Sequence, residues 1–297
     1  MSDIVSPKQA ALALGVSEAS VKRWCDRGLL ATVRTAGGHR RIATSEVLRF
    51  AREGGNALVR PELLGMPSST KAGPVANERA LADAHEALRD GDEERLIALV
   101  AHLYASGRSA TDVCERVLAP ALHELGLSWE HGALEVYEER RACELVQAAL
   151  HRLAQLLPTP PRGAPRALGG TLDGDPYTLS SAMCALALRE LGHRVDNLGS
   201  GLPAEQFARA IAKHRPKLVW LSVSGALDEP GLARALRTIA DAARRVGAAL
   251  VLGGRGLPQA GPRIPGARRC ERLSDLALAS RGPRGSSRAA RSRARTI

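Results

Sequence analysis

Apolar positions along the chain change their period once, near residue 167. Over residues 78–157 they fall three or four apart, as in Leu96, Leu99, Val100 and Leu103, which is the spacing of one helix face. Gly91, Gly107 and Gly132 punctuate that stretch and Pro120 is its single proline, so about four helices in a small bundle are expected. From 167 onward, short apolar runs alternate with amphipathic stretches. Strands are expected at Ala167–Leu172, Val195–Leu198, Leu218–Val223 and Ala248–Leu252. Helices are expected near Leu179–Leu191, Ala204–Lys213, Pro230–Val246 and Leu273–Ala279. Strand–helix alternation of this kind implies right-handed crossovers and a doubly wound parallel sheet, flavodoxin-like in plan.

Upstream of the bundle, Ser6-Pro7-Lys8-Gln9 has the order of a helix start: a Ser N-cap, Pro in the first turn and Gln closing a capping box. That helix runs to Gly15. Ser17 then caps a second helix, Glu18 to Arg27, which Gly28 ends. Two short helices across a Gly-containing turn describe a helix-turn-helix, whose second helix fits the major groove. Val21 and Trp24 lie three apart and should face the core, leaving Ser20, Lys22 and Arg23 outward beside Ser17. The segment from Arg34 through Gly37-Gly38-His39-Arg40-Arg41 to Ile42 predicts a β-hairpin wing with a cationic cluster, and Ser45 is expected to cap a third helix, Glu46–Glu53.

Six segments result: a winged helix-turn-helix at 1–54, a linker rich in Gly, Pro and Ser at 55–77, the bundle at 78–157, a Pro-rich hinge at 158–166, the α/β domain at 167–280, and a disordered tail at 281–297. Charge sharpens this division. The chain of 297 residues carries a net charge of +11; residues 1–53 account for +4 and residues 281–297 for +6, leaving the middle nearly neutral. Positive charge confined to a small head and a tail suits double-stranded DNA, because each neutralised phosphate releases counterions. No run of 18 apolar residues exists, which argues against a membrane span, and Met1 to Ser6 predicts no secretory signal. The five cysteines never form a C-x-x-C pair, which argues against zinc knuckles and disulfide scaffolds and fits a reducing cytoplasm. There is no G-x-S-x-G, H-E-x-x-H or P-loop, so the chain is read as a non-enzyme.

The segments "SPKQAALALGVSEASVKRWCDRGLL" and "TAGGHRRI" resemble the winged-helix head of the MerR and excisionase families. The resemblance implies that the DNA-contacting set is Ser17, Ser20, Lys22, Arg23, Arg34, His39, Arg40 and Arg41. Further on, the pieces are Trp129 with Glu139 ten residues later, Asp175-Pro176-Tyr177, Ser222-Val223-Ser224 and Gly253-Gly254. They resemble the helical-bundle plus cobalamin-binding arrangement of methionine synthase and of light-sensing MerR-type repressors of the CarH/LitR type. That implies a ligand set of Trp129, Glu139, Asp175, Tyr177, Ser222, Ser224, Gly253 and Gly254, with cobalamin as cofactor. Small residues at the strand ends would let a nucleotide tail slide between sheet and helices.

The departures are specific. The family's Asp-x-His-x-x-Gly reads Asp175-x-Tyr177-x-x-Ser180 here, so the imidazole that would bind cobalt from below is missing. The photoreceptors place a His directly after the Trp and another after the later Glu, whereas this chain has Trp129-Glu130-His131 and Glu139-Arg140. His131, one residue late, is the only metal-ligand candidate this leaves. Several readings stay open at this stage. One is a regulator, acting as a homo-oligomer on repeated half-sites, whose sensor binds cobalamin without a lower protein ligand. Another is a regulator whose sensor serves a different ligand, or only oligomerisation. The others are a corrinoid carrier for methyl transfer and an architectural excisionase-type protein.

Overall fold

The computed structural model describes residues 4–54, 58–64, 77–130, 134–225, 228–258 and 264–280. The 281–297 tail and most of the 55–77 linker therefore lie outside the described residues. Three layers follow in chain order: a small winged head, a helical bundle, and a parallel sheet flanked by helices.

In the head, β1 (Ile4–Val5) leads into α1 (Pro7–Leu14), and α2 (Glu18–Asp26) follows. The Ser6–Gln9 capping box forms in both directions, and Gly15 ends α1 in the left-handed conformation, φ +66. Strands β2 (Val33–Arg34) and β3 (Arg40–Ala43) make the wing, and β3 also pairs antiparallel with β1. α3 (Thr44–Glu53) differs from the sequence expectation. It starts directly off β3 with Ala43 at its N-cap and no side-chain cap, and Ser45 falls inside the first turn. Thr44 is buried there, so strand and helix share a continuous core edge that leaves no room for a capping loop. Val21, Ile42, Val47 and Leu48 form the head's centre, and Trp24 tilts against Phe50 with ring centroids 4.6 Å apart.

The bundle comprises α4 (Asn77–Asp90), α5 (Glu93–Ala105), a run from α6 (Ala110–Val113) into α7 (Ala119–Glu130), and α8 (Val136–Leu156). Between α6 and α7, residues Cys114–Leu118 form a π-helical turn. Pro120 lies just beyond it. A proline inside a helix removes one N–H and crowds the preceding turn, and a local widening of the ladder is one way to absorb it.

The α/β layer is a five-stranded parallel sheet in the order β5 (Arg194–Asn197), β4 (Arg166–Gly170), β6 (Leu218–Ser222), β7 (Ala249–Gly253), β8 (Ala267–Arg269). The sheet begins at β4, steps outward to β5 and returns past β4 to β6, so the reversal point lies between β4 and β6. Helices α9 (Leu179–Glu190) and α12 (Leu276–Ser280) cover one face; α10 (Ala204–His214) and α11 (Glu229–Val246) cover the other. β8 was not expected, because Ala267-Arg268-Arg269 offers no apolar run. As an edge strand of three residues it is held by backbone pairing to β7 instead.

Contacts between layers are specific. Arg52, at the end of α3, donates to the carbonyls of Tyr104 (2.9 Å) and Arg108 (2.6 Å) in the bundle and stacks over the Tyr104 ring at 4.3 Å. Glu190, at the end of α9, caps α6: it accepts from the backbone N–H of Ala110 (2.7 Å) and Thr111 (3.0 Å) and from the Thr111 hydroxyl. Met183 and Leu186 of α9 join the same apolar cluster as the bundle.

Candidate nucleic-acid interface and ligand edge

The outer face of α2 is polar because its apolar positions are spent on the core. Ser17 caps the helix, accepting from Ser20 N, and its hydroxyl lies 2.9 Å from that of Ser20. Lys22 pairs with Glu18 at 2.9 Å, and Arg23 donates to the Ser20 hydroxyl at 3.4 Å. A pair of this kind on an exposed helix is weak, so Lys22 is readily exchanged to a phosphate. On the wing, Gly38 takes the left-handed conformation at φ +76 and lets Thr35 and His39 close the turn. Arg34 donates to the Gly38 carbonyl.

The two wing arginines differ. Arg40 reaches back to α2, donating to Asp26 and to the Lys22 carbonyl (3.3 Å), so it fixes the wing to the recognition helix. Arg41 donates to the Arg40 carbonyl within the wing (3.3 Å) and carries no ion pair to an acid among the described residues. Behind them, Glu46 accepts from Ala31 N and from Arg49, which also donates to the Leu29 carbonyl; this pins the turn between α2 and the wing. The Arg49 hydrogen bond holds the Glu46 carboxyl below the ordinary glutamate value, against an opposing push from burial.

In the α/β layer, the reversal point opens at the C-terminal ends of β4 and β6, where folds of this order take their ligands. Asp175 is fully buried there. Its carboxylate accepts from Ser224 N (2.6 Å) and Tyr177 N (3.1 Å), and its carbonyl accepts from the Thr171 hydroxyl. One carboxylate therefore ties the loop after β4 to the loop after β6. Ser224 also reaches Ser180 across the gap, hydroxyl to hydroxyl at 3.2 Å. Glycine serves close packing on this rim. A Cβ on Gly254, which has φ +107, would fall 2.0 Å from the Val223 carbonyl oxygen, and one on Gly256 2.2 Å from that of Gly225. A Cβ on Gly253 would lie 3.1 Å from the Cys270 carbonyl oxygen, and Ser222 pairs with Gly253 across the sheet.

Tyr177 stands on the rim, 51% exposed. Trp129 is also exposed, at 45%, near the end of α7. Glu139 lies in the first turn of α8, accepting from the Cys143 thiol, which burial pushes up to about 12. The structure thus brings Asp175, Tyr177, Ser222, Ser224, Gly253 and Gly254 to one edge, whereas the hydrogen bond of Glu139 stays inside the bundle. The bundle meets the rim through Arg255 and His123, whose nitrogens are 3.3 Å apart. His131 lies outside the described residues, and among the described residues no three His, Cys, Asp or Glu side chains are grouped to hold a metal ion.

Residues 4–55 match the helix-turn-helix domain family. Residues 80–154 and 165–263 match two B12 binding domain families. The chain is 30% identical over 231 residues to the HTH-type transcriptional repressor CarH of Myxococcus xanthus, covering 72% of this chain and 76% of that one. The chain belongs to the CarH family. It is a DNA-binding regulator with a helix-turn-helix head and a sensor half built from two domains of the B12 binding families. Corrinoid proteins are more distant relatives: trimethylamine corrinoid protein 1 of Methanosarcina mazei is 23% identical over 146 residues, 48% of this chain and 67% of its own. The solved monomethylamine corrinoid protein of Methanosarcina barkeri superposes with a TM-score of 0.54 at 18% identity, over 69% of this chain and 98% of that one, which establishes the shared fold.

Against that family frame, the rim fits a corrinoid in part. Its walls are small residues and backbone, as a broad ligand laid across the strand ends requires. Its lower donor does not fit, because the Tyr177 phenol, a far poorer neutral donor to cobalt, stands where the family motif has an imidazole. The position that sequence reasoning missed is Trp220, on the α9 side of β6. Its signal was present: Leu218, Trp220 and Ser222 alternate on one strand face, so a large ring two residues before a small Ser must point to the same side.

Proposed function

We propose that this protein is a non-enzymatic cytoplasmic regulator that docks α2 in the major groove, lays its wing on the neighbouring backbone, and reads a corrinoid at the C-terminal edge of its sheet. In this reading no protein group ligates the corrinoid from below. The observation that carries it is the rim itself: Asp175 holds two loops in register around small residues, while Tyr177 occupies the motif position where the family resemblance puts an imidazole.

The head supplies sequence reading through Ser20, Lys22 and Arg23 and phosphate contacts through Arg34, His39 and Arg41, with Arg40 orienting the wing. One head spans few base pairs, so a homo-oligomer, built through the bundle and sheet layers, reads repeated half-sites. The domain limits that go with this reading are 1–54, 78–157 and 167–280. Cobalamin, when bound, would supply a bulky group at the rim; Asp175, Ser222, Ser224 and Gly253 would hold it there, and Arg255–His123, Glu190 and Arg52 would transmit its presence.

The absence of an imidazole at Tyr177 also favours a second reading, a sensor that has exchanged its ligand. Absorbance of the purified protein after dark incubation with cobalamins separates the two. A corrinoid spectrum retained through gel filtration supports the first reading, and a colourless protein supports the second.

A further inference from the structure

The α9 face of the sheet, directly below the rim, is where the small residues Ser222 and Gly253 would admit a nucleotide tail. Two residues back along the same strand face, that space is taken. Trp220 is 1% exposed and is among the largest fully buried side chains of the described residues. It belongs to the cluster that joins the sheet to α9 and α12 through Leu188, Val251 and Leu276. Its indole N–H donates to the Ser181 hydroxyl on α9 at 3.1 Å. Ser181 passes the bond on to Asn197, whose side-chain oxygen also accepts from Gly199 N. A buried indole with its single donor satisfied is a settled part of a core.

The neighbouring strand is shaped around this ring. Gly169 of β4 pairs directly with Trp220. A Cβ on Gly169 would lie 2.2 Å from the indole Cδ2 and 2.2 Å from the Trp220 carbonyl oxygen. So β4 gives up a side chain, and α9 supplies a hydroxyl, to seat one indole between sheet and helix.

We infer that Trp220 fills the tail channel with the protein's own ring, so that a corrinoid held at this edge keeps its nucleotide base on its own cobalt. This rests on the corrinoid reading above and deepens it. It also gives the lost imidazole a reason: where the base stays on the metal, the position facing Tyr177 needs no protein donor. The specificity that follows is for complete corrinoids that carry their own coordinating base.

The test uses the full chain, uniformly nitrogen-15-labelled, loaded with unlabelled cob(II)alamin and freed of excess by gel filtration. Electron paramagnetic resonance reads the axial nitrogen. A triplet splitting, from the cofactor's own nitrogen-14 base, is the expected result. A doublet from a protein nitrogen, or loss of the splitting, overturns the inference, because the base has then left the cobalt.

A second experiment is independent of corrinoid binding. In Trp220→Gly the emptied site should bind free dimethylbenzimidazole by calorimetry, as apolar cavities left by ring deletion do, while the wild type binds none. The melting temperature should fall by on the order of 10 °C and recover in part with that base. Trp220→Leu, a smaller deletion, serves if Trp220→Gly does not fold. Wild type that takes the base as well as the variant does overturns the inference. Wild type that retains no cobalamin, with a variant that binds the base, overturns the sensor reading and leaves the filled channel standing.

Discussion

Replacing Arg52 by Met keeps most of the aliphatic stem and deletes the guanidinium that fastens the head to the bundle. The group makes two hydrogen bonds to carbonyls, at 2.9 and 2.6 Å, and stacks on Tyr104. A hydrogen bond involving a charged partner is worth about 1.5–3 kcal/mol and an exposed cation–π contact about 0.5–1 kcal/mol. The three share one side chain and do not add fully, so a loss of about 2–4 kcal/mol is expected. In a chain of this size that lowers the melting temperature by on the order of 10 °C if head and bundle melt together. If the head is released first, the single transition splits into two, the earlier one belonging to the head. Differential scanning calorimetry distinguishes these outcomes. Arg52→Lys, which has no fork, should recover only part of the loss. A single unshifted transition in Arg52→Met would refute the claim that this residue couples the layers.

Glu190→Ala removes the cap shared by Ala110 and Thr111, costing about 1–2 kcal/mol and loosening the sheet layer from the bundle, which hydrogen exchange at the start of α6 reports. Arg41→Ala should weaken binding to all DNA sequences and flatten the salt slope by about one unit. Arg40→Ala, whose side chain is already committed to Asp26, should instead shift the wing and leave that slope nearly unchanged. Because the Glu46 carboxyl titrates below its ordinary value in the folded head, its stabilisation is present above the unfolded glutamate pKa of about 4.3 and is lost as pH falls through the lower folded value. Glu46→Gln should therefore flatten the acid limb of head stability, which urea melts across that pH range check. The Cys143 thiol, pushed up to about 12 by burial, should resist alkylation at neutral pH in the folded protein and react after unfolding.

Much of this was legible because local signals agreed with global ones. The Ser6–Gln9 capping box, the Ser17 cap and the Gly15 and Gly28 stops all lie within thirty residues, and each forms as expected. Strands β4, β6 and β7 announced themselves as apolar runs because they are buried on both faces. β8 did not, since an edge strand of Ala-Arg-Arg owes its place to a neighbour's backbone. The expected Ser45 cap does not form because a good capping residue next to a helix start competes with tertiary packing, and buried Thr44 decides the start. No sequence pattern marks the contacts of Arg52, Glu190 and Trp220, for one shared reason. Their partners, Tyr104, Thr111 and Ser181, lie about forty to eighty residues away, and no periodicity encodes a contact at that separation. The rim motif was legible as spacing, but the indole beneath it needed the register between β4 and β6.

The account's central claim is that the DNA-reading head answers to a corrinoid at the sheet edge. Fluorescence anisotropy of the full chain on a duplex selected from a random pool, in the dark with and without cobalamin, tests it directly. The account predicts salt-sensitive binding to a selected repeat, with an affinity that changes when cobalamin is added. It would be contradicted if no duplex were selected, or if affinity stayed the same while the protein carried one corrinoid per chain.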